Sequence, residues 1–554
     1  MEILNYDLVC IGSGVAGMMA SIVASNTDAK VCLVSKEPLG WGNTRISGGI
    51  ISTIGSDKHT LSSDMIKSGK NLNQTHLLEK LLDNSVGVHE LIESWGHLFV
   101  SDHNMSDQRK KIKPAGHSEA RTMLSYQRGL LLANTLRSKL LDTNIHIFEE
   151  VIACKIILNE NKVHGVLLYD WIKGKWKALL TQRVILASGG GGMLYFPHTD
   201  NMRSATGDGY AIGLNAGAHL IDMEQIQFMP FGITYPKGML GIELGDTSAA
   251  GPYGVLRNNK GEIICSDLSN KTREEVSKTI ALEIMKGHPT PNGGVWLDPT
   301  ANRNYQDGEE SWENWKTIGS LDPLKLANGT KAYQWKECFE VLPTQHYIMG
   351  GLLIDNKGNT SVDGLMAVGE TAGGIHGAGR MGSMSLFDGL VFGKIVGNEV
   401  AGKYESIKKL SKDYLEEEKD NFINHVANQH GEQNTIKLKR ELGHVMWKYA
   451  GIIRSQEMLV DGMDLLTKIE KKSHFLSVNW NKSINYQALE AIELRFMIQT
   501  AKSILLSALE RKESRGSHYR EDYPAMKDSE PLKNIVIHLK NGNLFTLLKG
   551  NSNE

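Results

Sequence analysis

The chain has 554 residues, beyond the ~250–300 at which one hydrophobic core gives way to several, so two or three domains and room to bury a large cofactor are expected. Lys+Arg 61 against Asp+Glu 63, a formal net charge of −2, leaves no electrostatic footprint for nucleic acid or an anionic membrane. The chain opens without a basic and apolar leader and has no run of ~18 apolar residues; its five scattered cysteines form no C-x-x-C pair, which argues against disulfides, structural zinc or an iron–sulfur or haem centre of its own.

The first predicted element is a buried strand, YDLVCI (6–11), followed at once by Gly12-Ser13-Gly14-Val15-Ala16-Gly17, a small-residue helix and a second strand, VCLVSK. This is the G-x-G-x-x-G fingerprint in its strand–turn–helix–strand context. Gly12 makes the tight turn, Gly14 lets the backbone approach a pyrophosphate, and Gly17 lets the helix pack on the sheet. The acidic residue that usually closes the second strand is replaced by Ser35-Lys36, which counts against NAD and leaves room for FAD.

A second glycine-rich segment, GWGNTRISGGI (40–50), is suited to lie flat against a ligand. Helical periodicity then runs from Asp64 to Trp95, and PAGHSEART (114–122) is a polar loop before the helical RGLLLANTLRSKLL. Residues 145–184 read as hairpin strands and end in a strand entering Ala187-Ser188-Gly189-Gly190. Thr206-Gly207-Asp208-Gly209 opens a helix with Asp208 in its first turn, where negative charge is favoured. From 234 to 343 the composition shifts to glycine-rich turns, short strands, the helical REEVSKTIALEIMKG and a loop-like GGVWLDPTANRNYQDG, which marks an inserted domain.

In the stretch from His346 to Lys394, a strand-like run ends at Gly369-Glu370, and a glycine-rich turn leads to a helix beginning near Ser383–Ser385. Strand, turn and helix start make an anion-binding corner, flanked by His346 and Arg380, both able to hold a carboxylate. Beyond residue 400 come long amphipathic helical runs, from YESIKKLSKDYLEEEKDNFINHV to YQALEAIELRFMIQTAKSILLSALERK. The tail IVIHLKNGNLFTLL reads as a hairpin around Asn541-Gly542.

Taken together, GSGVAG, GNTRISGGI, GHSEART, ASGGGG, TGDGYAIGLNAGA, HYIMGG, VGETAGGIHGAGRMGSMSL and ESRGSHYREDYP resemble the flavoprotein of the succinate dehydrogenase/fumarate reductase superfamily, which includes L-aspartate oxidase and the adenylylsulfate reductase flavoprotein. The resemblance implies an α/β fold: a Rossmann-like FAD-binding domain (1–233 and 344–400) split by an inserted α+β capping domain (234–343) and followed by a C-terminal helical domain with a tail (401–554). It places Gly12, Gly14 and Gly17 at the pyrophosphate, Ser35 and Lys36 at the adenosine end, and Gly48 and Gly49 against the isoalloxazine. It puts Asp208 near the ribityl and phosphate region, Glu370 on a ribose, and Ser385 and Leu386 at the start of a helix aimed at flavin N1 and O2. Val15, Ala16, Thr44, Ala187, Gly189 and Gly190 complete the cofactor-binding set. Asn43 stands where membrane-bound relatives carry the histidine that binds FAD covalently, so noncovalent FAD is expected.

The same resemblance assigns catalysis to His346 and Arg380, which hold one carboxylate, and to Arg273, the proton-shuttling arginine at the start of the capping-domain helix. The implied enzyme exchanges hydride between flavin N5 and a C–C bond of a small carboxylate. It is cytosolic, or peripheral through a partner, and trades electrons with a separate iron–sulfur or ferredoxin-like protein. Adenylylsulfate reductase chemistry and a non-catalytic FAD relay are the alternatives. The family's QFHPTG is QFMPFG here, with Met229 and Phe231 in place of histidine and threonine, and the threonine–glutamate pair and arginine that follow are replaced by a segment with Asp246 and Thr247. One end of the pocket therefore reads as apolar. The expected substrate has one carboxylate and an apolar or aromatic remainder, and is not succinate or fumarate.

Overall fold

The computed structural model describes residues 1–101, 109–402, 410–427, 431–528 and 531–550. At its centre is a parallel sheet in the order Leu365–Ala367, Val184–Leu186, Leu8–Ile11, Val31–Val34, His146–Phe148. The first four of these strands are buried at every position, which is why each reads as a short apolar run and not as an alternation. The helices Val15–Ala24 and Met384–Val400 pack together through Gly389, Gly393 and Gly397. A Cβ on these glycines would fall 2.7, 2.8 and 2.6 Å from atoms of Val15, Ala16 and Ala20. Distant parts of the sequence are thereby joined into one α/β unit.

The inserted unit has its own antiparallel sheet, in the order Ile226–Ile233, Phe339–Ile348, Val295–Asp298, Val255–Arg257, Ile263–Cys265. It also has a separate core that includes Phe231, Leu256, Trp335 and Val341. Ile226–Ile233 carries the polypeptide into the unit and Phe339–Ile348 carries it out, side by side. The stretch GGVWLDPTANRNYQDG, expected as loop, contains the strand Val295–Asp298, in which Val295 and Leu297 are buried and Trp296 and Asp298 are half-buried. The alternation was present, but the glycines and proline around it masked a four-residue element.

Long helices follow: Lys412–Val426, Thr435–Tyr449, Gln456–Ser473 and Tyr486–Glu510. Residues 403–409, where the first of these predicted runs begins, lie outside the described residues. The tail forms the expected hairpin, Lys533–Lys540 with Asn543–Gly550. Asn541 and Gly542 are both left-handed (φ 51° and 76°), as a two-residue turn between twisted strands requires. Lys533–Lys540 also pairs with Leu220–Ile221, so the tail is stitched to the α/β unit. Among the described residues, no helix is long and apolar enough to cross a membrane.

Candidate active site

A cavity of about 770 Å³ runs between the parallel sheet and the inserted unit. Two helix N-termini open onto it. The helix Val15–Ala24 starts from Gly14 and the helix Met384–Val400 from a left-handed Ser383, neither with a side-chain cap. Val15 N–H is taken by Thr44 Oγ1 at 3.0 Å, and the partial positive charge of both termini faces the cavity. A Cβ added to Gly48 would meet nothing within 4 Å and its backbone is not left-handed, so neither packing nor conformation requires this glycine, and its bare backbone lines the cavity where a ligand could approach. An elongated cavity with two anion-attracting termini fits FAD, whose pyrophosphate and electron-rich ring both gain from such termini.

The structure brings nearly all the predicted site residues to this cavity, with three exceptions. Gly17 serves packing, since its Cβ would lie 2.0 Å from Gly12 O. Phe231 is fully buried in the core of the inserted unit, because the strand slips register between Met229 and Gly232 and turns Phe231 away from the face that Met229 presents. Thr247 lies in the 3-10 turn Thr247–Ala250 and donates to Lys271 O at 2.9 Å.

At the adenosine end, Ser35 Oγ and Ser13 Oγ share a hydrogen bond of 2.7 Å. Lys36 Nζ lies 2.7 Å from Asp208 and 2.8 Å from Glu493 on the last long helix. Burial works against the Lys36 ammonium, but the two carboxylates outweigh it and hold its pKa above the ordinary range. Asn43 is committed on both sides: its Nδ2 donates to Asn201 at 2.6 Å and its Oδ1 accepts from Met202 N–H at 2.9 Å.

Glu370 accepts from Ile348 N–H at 3.1 Å, and burial pushes its carboxyl up to about 7. An acid raised on folding gives stability that is complete below its unfolded value near 4.3 and is lost as pH rises toward the folded value. The cofactor-free protein should therefore lose up to about 1.4 kcal/mol per pH unit between ~4.5 and 7 through this group. Asp222, raised to a similar value by burial and Glu224, contributes in the same direction. Thermal melts of the Glu370→Gln variant beside the parent isolate the Glu370 part, and identical pH profiles would refute it.

At the other end three basic side chains meet. Gln227 Oε1 accepts from Arg273 Nη1 at 3.3 Å and from Arg380 Nε at 3.2 Å, so one amide joins two buried guanidinium groups. Arg273 Nη2 lies 3.3 Å from Asp246 Oδ2. Burial would raise the Asp246 carboxyl, but Arg273 and hydrogen bonds from Ser248 and Ala115 hold it below its usual value. Arg380 lies over the Tyr347 ring at 4.8 Å and donates to Ser385 Oγ at 3.1 Å. Burial, then the like charge of Arg273, pulls Arg380 down to about 10. His346 Nδ1 sits 2.6 Å from Asp200 Oδ2. A buried pair of like charges on one amide is a site for an anion.

Asp200, Gln227 and Glu243 were missed by sequence reasoning. Gln227 was the most findable, being the first residue of QFMPFG. The ESRGSHYREDYP loop backs this site. Ser517 N–H donates to Ala378 O at 2.9 Å, two residues before Arg380, and a Cβ on Gly516 would lie 2.0 Å from the same oxygen. Arg515 and Arg511 anchor that loop, Arg515 on Glu513 and Arg511 on both Asp222 and Glu224.

Residues 7–386 match the family model described as FAD binding domain, and residues 439–547 match that described as fumarate reductase flavoprotein C-term. The chain is 32% identical to one of the subunits of fumarate reductase (CoM/CoB) from Methanothermobacter marburgensis, over 97% of this chain and 98% of that one. It is 31% identical to the 8-methylmenaquinol:fumarate reductase flavoprotein subunit of Wolinella succinogenes, over 98% and 90%. Its fold superposes on a mutant of E. coli quinol fumarate reductase FrdA with a TM-score of 0.88 at 25% identity, covering 99% of this chain and 97% of that one.

Proposed function

We propose that this chain, which belongs to the fumarate reductase/succinate dehydrogenase flavoprotein family and is an FAD-dependent oxidoreductase, exchanges a hydride with a C–C bond of a small carboxylate other than plain succinate or fumarate. The observation that carries this reading is the pairing of Arg273 and Arg380 on Gln227 inside the cavity. Bound FAD supplies the two-electron chemistry. The protein's own residues orient the substrate and handle its proton.

Arg380 presents its guanidinium to the substrate carboxylate, and His346, aligned by Asp200, adds a second donor. Arg273 would deliver a proton to the substrate carbon, and the proton would be restored through Asp246, which its Nη2 contacts. Arg273 and Arg380 are both buried, which strengthens each of these charge contacts. The FAD is held noncovalently, because Asn43 offers an amide already engaged with Asn201 and Met202 and no nucleophile.

Electrons pass to or from a separate iron–sulfur protein. Cys10, Cys32, Cys154 and Cys265 are free and buried, Cys338 is free and exposed, and among the described residues the one convergence of metal-binding side chains contains no cysteine. The test is to reduce the flavin with a viologen, remove excess reductant and add enoates one at a time. Reoxidation by at least one enoate is expected. Reoxidation by adenylylsulfate alone would replace this reading with sulfur chemistry, and reoxidation by none would overturn the enzymatic reading.

A further inference from the structure

The turn 125–128 is bent in a way its sequence does not favour. Gln127 and Arg128 are both left-handed (φ 55° and 58°), and Arg128, with ψ −147°, occupies a region that glycine reaches without steric cost and other residues only under strain. Close packing imposes the bend. A Cβ on Gly129 would fall 2.0 Å from Thr44 O and one on Gly49 2.2 Å from the Arg128 carbonyl carbon, so the turn is pressed against the segment whose Ser47, Gly48 and Gly49 line the cavity. Glycine would fit the backbone at 128 better, but it would lack the side chain. That side chain crosses to the inserted unit, where its Nε donates to Ile318 O at 2.8 Å and its Nη2 lies 3.7 Å from Asp322 Oδ2. Ile318 ends the helix Gln306–Ile318, whose last carbonyls carry partial negative charge that a cation offsets. Gly319 leaves the seat open, since its Cβ would lie 2.2 Å from Arg128 Nη2. Trp315, Ile318 and Ser320 line the same cavity from the inserted unit, and Lys110 makes a second crossing, to Asn314 Oδ1 at 3.2 Å.

We propose that Arg128 is a positioning residue of this site: it latches the inserted unit to the glycine-bearing segment 44–49 and so holds Arg273, which the inserted unit carries, in register with Arg380. The inserted unit enters and leaves side by side through Ile226–Ile233 and Phe339–Ile348. Paired connecting strands leave such a unit free to swing, and a side-chain crossing elsewhere on its border fixes the angle. The Arg128 side chain is 36% exposed, so water can take the place of its partners and the latch can open. The latch itself needs no particular substrate. That it serves catalysis rests on the role given to Arg273 above.

The experiment compares the holoproteins of the parent, Arg128→Gly, Arg128→Lys and Gly319→Asn by iodide quenching of the flavin fluorescence, thermal melting and flavin reoxidation by enoates. Arg128→Gly relieves the backbone as it removes the latch, so its melting temperature should equal or exceed the parent's while its quenching constant rises at least threefold. Arg128→Lys should be quenched less than the glycine variant. Gly319→Asn accepts the left-handed backbone but fills the guanidinium's seat, so it should be quenched like Arg128→Gly with the arginine intact. Quenching unchanged in Arg128→Gly or in Gly319→Asn would overturn the latch, and a lower melting temperature in Arg128→Gly would reduce Arg128 to a packing role. With an enoate that reoxidises the flavin, kcat of Arg128→Gly should fall at least tenfold, and a kcat within threefold of the parent would overturn the positioning role. Should quenching rise as expected while no enoate reoxidises the flavin of the parent, the proposed reaction falls and the latch stands.

Discussion

An Arg273→Lys protein is expected to keep its flavin and its affinity for the substrate carboxylate within about tenfold, yet to turn over roughly 10²–10⁴-fold more slowly. The guanidinium fork of Arg273 reaches three acceptors at once: Gln227 Oε1, the Arg380 carbonyl and Asp246 Oδ2, each at 3.3 Å. Lysine preserves the charge that balances Asp246, so the buried carboxylate is not stranded, an outcome that would cost about 3–5 kcal/mol. A single ammonium cannot hold the same three contacts, and the proton it carries leaves the position set by the fork. The loss should therefore fall on kcat, read as the rate of flavin reoxidation at saturating enoate. A kcat within threefold of the parent would remove Arg273 from the proton transfer.

Arg380→Ala should act on the other kinetic term. The clamp is a buried, charge-assisted contact, and truncating one side of such a pair costs about 2–5 kcal/mol, or roughly 10²–10⁴ in kcat/KM. Arg380 is 5% exposed, so water cannot easily replace it. Arg380→Lys should recover only part of the loss, because a lysine cannot grip a carboxylate through two parallel bonds or lie over Tyr347 as the planar group does. Flavin content and thermal stability of both variants separate this effect from collapse of the cavity. Unchanged KM in Arg380→Ala would refute the clamp.

Much of this was legible in the sequence because it was local. The strand–glycine–helix corner at Gly12–Gly17 is a requirement of backbone geometry, and such requirements leave fixed spacings. Arg273 was locatable for the same reason. It follows Thr272, whose hydroxyl accepts from Glu275 N–H while Glu275 accepts from Thr272 N–H, a capping box that fixes where the helix begins. Glu275 is used by the cap and Glu274 accepts from Gln227, while Arg273 turns to Asp246.

The rest depended on tertiary placement. Nothing near Asp200 or Glu243 in the chain announces a function, and only the fold brings them to His346. Phe231 was assigned to the pocket from the resemblance of QFMPFG to the family's motif, and the register slip beside it turns its side chain into the core of the inserted unit instead.

The ion pair between Lys36 and Glu493 bears on when the protein can take up its cofactor. Lys36 stands at the second strand of the chain's nucleotide motif and Glu493 on its last long helix, so a nascent chain exposes the nucleotide turn long before that counter-charge exists. An ammonium buried beside the cavity with one partner missing is costly, and the walls from His346 to Leu386 are also made late. The expected consequence is that FAD is taken up only after the C-terminal helices dock, so a chain ending before Tyr486–Glu510 should purify with little flavin, read from its absorbance spectrum, and full flavin content in that truncated chain would refute it.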